Sequence, residues 1–358
     1  MLLLWCVKDE KKRTNYILPL GFIIVTTFFA LRYEYGNDYW HYYLRWESGR
    51  LVEGDNRGTG ETLFYHFMQL FDHYYKFVIV HTLIFCSIIF YLVRRYIAPK
   101  YYAFFFFLFM TMATMSYNMM SAMRSTMAAC VLWIAFDLFY IRKKRWLPFA
   151  GMVILSGFFH TSALMFILVP LIDRGMRLVK PTILFDFLCI GMVVNVMFSK
   201  ELYAFLLSFS STMSDTYGGY LDLDKTSGSS IFGMLNRSIM LIPYYFICMK
   251  KEQFNQESKS GIWILAMFII TLICYGLDID GRFSLVLYIF VIMALSNVIP
   301  TLNKSQRIYC LVPLVIYIVY NHIYLTYKMQ LLYYYTDLNN GDGCFLYYTS
   351  IFDAPYLP

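Results

Sequence analysis

Long apolar runs, separated by short charged connectors, dominate the chain from residue 17 onward. The runs are continuous. A membrane-barrel strand would instead alternate apolar and polar side chains at every second position, so the pattern predicts helices and not a β-barrel. A helix needs about 20 apolar residues to cross the hydrocarbon of a bilayer. Candidate spans fall at about 17–33, 77–96, 101–120, 124–141, 182–198, 231–249, 261–277, 282–299 and 307–325. A tenth apolar run, about 147–172, is broken by Ser156-Gly-Phe-Phe-His160 and is flanked by basic residues on both sides.

Charge sets the orientation. With Lys8, Lys11, Lys12 and Arg13 inside, the next inside connectors carry Arg94, Arg95 and Lys100, then Arg142, Lys143, Lys144 and Arg145. If 147–172 crossed once, Arg174, Arg177 and Lys180 would lie outside, and Lys250, Lys251 and Lys259 would follow them. A re-entrant hairpin keeps every basic cluster inside, with Gly157 and His160 near its tip. Such a segment is tolerated at membrane depth when protein or a wet cavity surrounds it. The outer side then receives loops at about 34–76 and 199–230 and the tyrosine-rich tail 326–358. Arg32, Asp38, Glu61, Arg124, His160, Arg237 and Arg282, which come from several different spans and loops, approach that same side.

Composition supports a polytopic, all-α membrane protein. Of 358 residues, 59% are apolar, 20% aromatic and only 15% charged, and the mean hydropathy is +0.53. Soluble domains carry about a quarter charged residues. The net charge of +7 does not imply nucleic-acid binding, because the lysines and arginines cluster in connectors. Eight cysteines fall mostly inside apolar runs without a CxxC pair, which suggests neither disulfides nor zinc. Met1–Cys6 is too short for a signal-peptide core, and its charges follow it instead of preceding it. No internal repeat divides the chain, so residues 1–358 read as one integral membrane domain.

The densest chemistry lies in Arg32-Tyr-Glu-Tyr-Gly-Asn-Asp-Tyr-Trp-His-Tyr-Tyr43. Aromatics there suit sugar faces, a carboxylate suits hydroxyls, and an arginine suits phosphate oxygens. Arg124 lies inside a span, where an arginine costs about 2.5–3.5 kcal/mol to insert and so points to function. The plainer alternative for Arg32, Arg124 and Arg282 is snorkelling at a span end. His160 interrupts an apolar run and has the chemistry of a general base; a hydrogen-bonded packing histidine is the alternative. Asp38 and Glu61 suit sugar hydroxyls or base chemistry, or are a solvated loop acid and a helix-terminal charge. Asp278-Ile-Asp280 has the spacing of a metal-binding DxD, a weak pattern on its own. With no HExxH, phosphate loop or serine elbow, no metal or cofactor is expected.

Taken in order, these residues resemble the EpsG family of Wzy-like membrane proteins, the polymerases of exopolysaccharide and O-antigen repeat units. The resemblance rests on Leu31-Arg-Tyr-x-x-Gly-x-Asp-Tyr-x-x-Tyr42, Glu61-x-x-Phe64, Met123-Arg-x-x-Met-Ala128, Phe159-His-Thr-Ser-Ala-Leu164 and a late Arg282. It covers nearly the whole chain. Two departures stand out: Met1–Cys6 replaces a full first span, as a shortened N-terminus would, and Ser125 follows Arg124 where the family carries glutamine. The resemblance implies about nine transmembrane helices plus the hairpin in a GT-C-like fold, in the bacterial cytoplasmic membrane with the site facing outward. It implies a metal-independent, inverting glycosyl transfer between undecaprenyl-pyrophosphate-linked oligosaccharides. Arg124 and Arg282 would hold the pyrophosphate with help from Arg32, and His160 or Asp38 would serve as base. Tyr39, Trp40 and Tyr42 would shape sugar subsites, with Glu61 as a further substrate ligand. Implied partners are the lipid-linked glycans, the bilayer, and a chain-length regulator and flippase of the same pathway. An O-antigen ligase and a lipid-linked oligosaccharide transporter are the alternative functions.

Overall fold

The computed structural model describes residues 9–33, 38–48, 61–112, 119–180, parts of 182–198, 238–250, 280–335 and 349–350. The expected span 261–277, Arg237, Asp278 and all of the loop expected at 199–230 lie outside the described residues. The described chain is helical apart from one short ladder. In it β1 (Arg32–Tyr33) pairs antiparallel with β2 (Thr349–Ser350), tying the start of the loop expected at 34–76 to the C-terminal tail. The chain forms two compact units, Met1–Leu164 with Tyr320–Pro358, and Met165–Val319.

Three helices of the first unit are long and apolar enough to cross a bilayer: α1 (Glu10–Ala30), α4 (Tyr74–Tyr96) and α6 (Met123–Arg142). Between them lie α2 (Tyr39–Ser48), α3 (Thr62–Gln69) and α5 (Tyr102–Thr111), and α7 (Trp146–Gly157) follows. Helix α4 buries Phe77, Val78, His81, Thr82, Phe85, Cys86, Ile89, Leu92, Val93 and Tyr96. That spacing is one stripe of a 3.6-residue helix. Helix α6 is buried on almost every side and packs against both α4 and α7. Phe22 meets Phe90 and Phe29 meets Phe85, so α1 runs antiparallel to α4. In hydrocarbon these contacts hold by close packing, since lipid is as apolar as phenylalanine. Outward-facing Ile23, Ile24, Leu83, Leu147 and Ile154 are exposed, as lipid-facing side chains are.

One end of this bundle is closed by Asp137. The α6 backbone widens to a π-helix at Phe136–Arg142, and the Asp137 side chain is fully buried there. It accepts hydrogen bonds from Tyr91 (2.5 Å) and Tyr96 and pairs with Arg95 Nε at 2.8 Å. Arg142 approaches within 4.0 Å. Arg95 and Arg142 belong to two basic connectors that charge alone assigns to one side, and here they meet. Helices α4 and α6 therefore run parallel, with their N-terminal ends together at the opposite end of the bundle.

The expected span at 101–120 is cut short. Helix α5 ends at Thr111, and Met112 is extended (ψ 90°). The 147–172 run is broken where its sequence predicts. Helix α7 stops at Gly157, Phe158 and Phe159 turn, and a 3-10 segment starts at Thr161. A Cβ added to Gly157 would lie 2.6 Å from Leu164 Cδ2. In a continuous helix those residues are about 10 Å apart along the axis, so the helix does not run through the break, and a larger residue at 157 would have to push the exposed Leu164 side chain aside. Beyond the break come α8 (Val169–Leu178), α9 (Leu241–Met249), α10 (Asp280–Val298) and α11 (Lys304–Tyr335), the last starting in the second unit and ending in the first.

Candidate active site

Glu61 stands at the N-cap of α3 and is buried. An acid there ordinarily bonds the amides of its own first turn, but Glu61 makes no such capping bond. Its oxygens serve other segments. Oε2 pairs with Arg124 Nη1 at 2.5 Å. Oε1 bonds His160 Nδ1 and accepts the Thr161 amide at 3.3 Å. The amide of Leu63 donates to the carbonyl of Phe158 at 3.3 Å, docking α3 onto the break that carries His160. Arg124 is the second residue of α6, where the helix dipole disfavours a cation. The Glu61 carboxylate offsets that placement.

Two phenols complete the cluster. Arg124 Nε donates to Tyr42 Oη at 3.2 Å, and Nη1 donates to Tyr65 Oη at 3.2 Å. Arg45 Nη1 also donates to Tyr65 Oη, and its guanidinium lies 5.2 Å from the Tyr65 ring centre. The Arg124 guanidinium lies 5.6 Å from the Tyr42 ring centre. The side chain of Arg124 retains 16% exposure while that of Glu61 retains 5%, so the arginine is the member of the pair open to a ligand.

Burial pushes the Glu61 carboxyl up. The His160 hydrogen bond, the charges of His160 and Arg124, and the Thr161 amide outweigh it and bring the group down to about 2. Glu61 is a carboxylate at any working pH, which makes His160 Nδ1 the donor; in the neutral imidazole Nε2 is then the basic nitrogen. Burial raises the Tyr42 phenol well above its ordinary value, with the Arg124 charge opposing, so Tyr42 stays protonated.

The other expected residues fall around this core. Asp38 immediately precedes α2, half-buried, and its carbonyl accepts the Tyr42 amide at 3.0 Å. Tyr39 is buried with its ring edge-on to Tyr74. Trp40 lies on α2. Arg32 is fully buried; it donates to the Phe29 carbonyl (2.7 Å) and Thr82 Oγ1 (2.6 Å), and reaches Met123 Sδ at 3.7 Å. Its contacts are with the protein beneath Arg124. Arg282 lies in the first turn of α10 in the second unit, and its side chain is outside the described residues. Among the described residues no group of three or more His, Cys, Asp or Glu side chains is placed to hold a metal.

Arg45, Tyr65 and His81 are not singled out by the sequence alone. Arg45 shares the buried face of α2 with Tyr39 and Tyr42 at three-residue spacing, and an arginine on an aromatic face was a readable signal. Tyr65 lies four residues after Glu61, one turn along α3. His81, inside α4, contacts the carbonyl of Met123 through Nε2 at 3.2 Å. Nothing in its surrounding sequence marks it.

Comparison with known proteins gives one match: the EpsG family model, over residues 15–336. No curated protein and no solved structure matches the chain.

Proposed function

The chain belongs to the EpsG family, and from that premise we propose that it is a polysaccharide polymerase joining undecaprenyl-pyrophosphate-linked oligosaccharide repeat units at the outer face of the bacterial cytoplasmic membrane. The observation that carries this reading is the shared Glu61 carboxylate, which holds Arg124 and His160 side by side from three separate stretches. A cation beside a base, both fixed by one acid, is what transfer from a glycosyl pyrophosphate requires.

The steps follow from that chemistry. The bond between the donor's anomeric carbon and the pyrophosphate oxygen breaks, so positive charge grows on the sugar and negative charge on the leaving group. Arg124 faces the leaving group and stabilises its charge in a low-dielectric pocket. An acceptor hydroxyl attacks the anomeric carbon from the opposite face, and its proton passes to His160 Nε2. The product linkage is inverted. Glu61 acts through its two partners: it keeps His160 in the tautomer with Nε2 basic and cancels the charge that would otherwise keep Arg124 from its place. Asp38 stands at the entry to α2 as a ligand for acceptor hydroxyls.

The test is incubation of the purified protein with one defined polyprenyl-pyrophosphate oligosaccharide. A ladder of dimer and longer products is the expected result. No product from that substrate alone, with transfer appearing only when a lipid A core acceptor is added, would make the protein a ligase. Movement of the substrate across vesicles without new linkages would make it a transporter.

A further inference from the structure

Counting donors and acceptors around Arg124 exposes an imbalance. A guanidinium has five N–H groups and accepts nothing, so every bond from Arg45 or Arg124 to a phenol uses the phenol oxygen as acceptor. Tyr65 Oη accepts from both Arg45 and Arg124. Tyr42 Oη accepts from Arg124. Each phenol still carries one O–H to donate. Among the described residues neither hydrogen has an acceptor, and Arg124 Nη2 has none either. Glu61 already serves Arg124, His160 and the Thr161 amide, and the charge of Asp38 acts on Tyr42.

We infer that the Tyr42 and Tyr65 hydroxyls and Arg124 Nη2 form a three-point donor cradle for one phosphate of the pyrophosphate leaving group. The inference rests on the proposed function and assigns these tyrosines to the phosphate, not to sugar stacking. A phosphate group offers several charged acceptor oxygens and no donor near neutral pH, the complement of what the site presents. Arg45 serves as a positioning residue. Its bond to Tyr65 occupies the oxygen lone pair, directs the O–H away from Arg45, and makes that O–H a stronger donor through polarisation. The rings are packed as core: Tyr42 lies 5.3 Å from Phe64, and Tyr65 lies 5.6 Å from Phe64. Removing only the hydroxyls therefore leaves the scaffold in place.

The experiment compares wild type, Tyr42→Phe, Tyr65→Phe, the double variant, Arg124→Ala, and a protein with 3,5-difluorotyrosine at position 65. It reads titration with inorganic pyrophosphate and the kcat and KM of ladder formation. Each single Phe variant is expected to lose about tenfold to a hundredfold in pyrophosphate affinity and in kcat, the double variant more. Difluorotyrosine keeps every native heavy atom and is a stronger acid. If its O–H must donate, the alkaline limb of the rate profile moves to lower pH. If the oxygen serves only to hold Arg45 and Arg124, ionisation tightens those pairs and the limb stays put, which overturns the cradle. A double Phe variant with wild-type affinity and kcat, beside an inactive Arg124→Ala, also overturns the cradle and leaves the pyrophosphate reading standing. Wild-type affinity and kcat in Arg124→Ala would remove that reading and the cradle together.

Discussion

Glu61→Gln is the substitution from which most can be learned. It keeps the shape of the side chain and removes one charge beneath Arg124 and His160. The carboxylate accepts from three donors; an amide keeps one oxygen for them and turns its own N–H groups toward the rest. The energetic consequence follows from the depressed carboxyl. Its folded-state value is about 2 against an ordinary 4.5, and at ~1.4 kcal/mol per pH unit that gap is worth about 3 kcal/mol. The sign is fixed by the direction. A depressed acid stabilises fully above its unfolded value, and the contribution is lost as pH falls from 4.5 through about 2. Wild-type protein in detergent should therefore lose about 3 kcal/mol across that window, while Glu61→Gln shows no such step and is weaker by a similar amount at neutral pH. Function should suffer as well, because both the leaving-group cation and the base depend on this acid: a drop of about a hundredfold in ladder formation per folded molecule is expected. Melting curves from pH 2 to 7 and single-substrate polymerisation are the assays. Unchanged melting at pH 7 together with near-normal ladders would refute the shared-carboxylate argument.

Other substitutions separate the site from the scaffold. Arg124→Lys keeps a charge but cannot reach Tyr42, Tyr65 and Glu61 together as a planar fork does; ladder formation should fall about a hundredfold with little change in melting temperature. Gly157→Ala places a Cβ 2.6 Å from Leu164 Cδ2 and should cost about 1–3 kcal/mol in thermal unfolding, with activity reduced through His160 three residues on. Asp137→Asn removes the charge and leaves one accepting oxygen for Arg95, Tyr91 and Tyr96 at the far end of the bundle. It should destabilise by about 3 kcal/mol while leaving the rate per folded molecule unchanged.

Much of the scaffold was legible because a membrane span writes itself as a continuous apolar run. The expectation of 77–96 became Tyr74–Tyr96, and that of 124–141 became Met123–Arg142. The break at Gly157 to His160 was legible too, from a glycine and a histidine interrupting apolar sequence between two basic flanks. The run at 101–120 misled because helix α5 stops at Thr111, between two methionines, where hydropathy shows no break. Hydropathy measures where a segment is content to lie and not whether its backbone stays helical.

Residue types were determined by sequence, and the charge pattern predicts which span termini share a side. Which atoms meet was decided only by tertiary structure. Glu61 and His160 stand 99 positions apart, and Arg124 and Glu61 stand 63 apart; no local periodicity reaches that far. The same holds for Arg32. Its sequence setting suggests a sugar-phosphate pocket, and its folded contacts are Phe29, Thr82 and Met123. A guanidinium is equally at home on a phosphate or on carbonyl and hydroxyl oxygens. Only the packing of α1 and α6 against α4 selects between them.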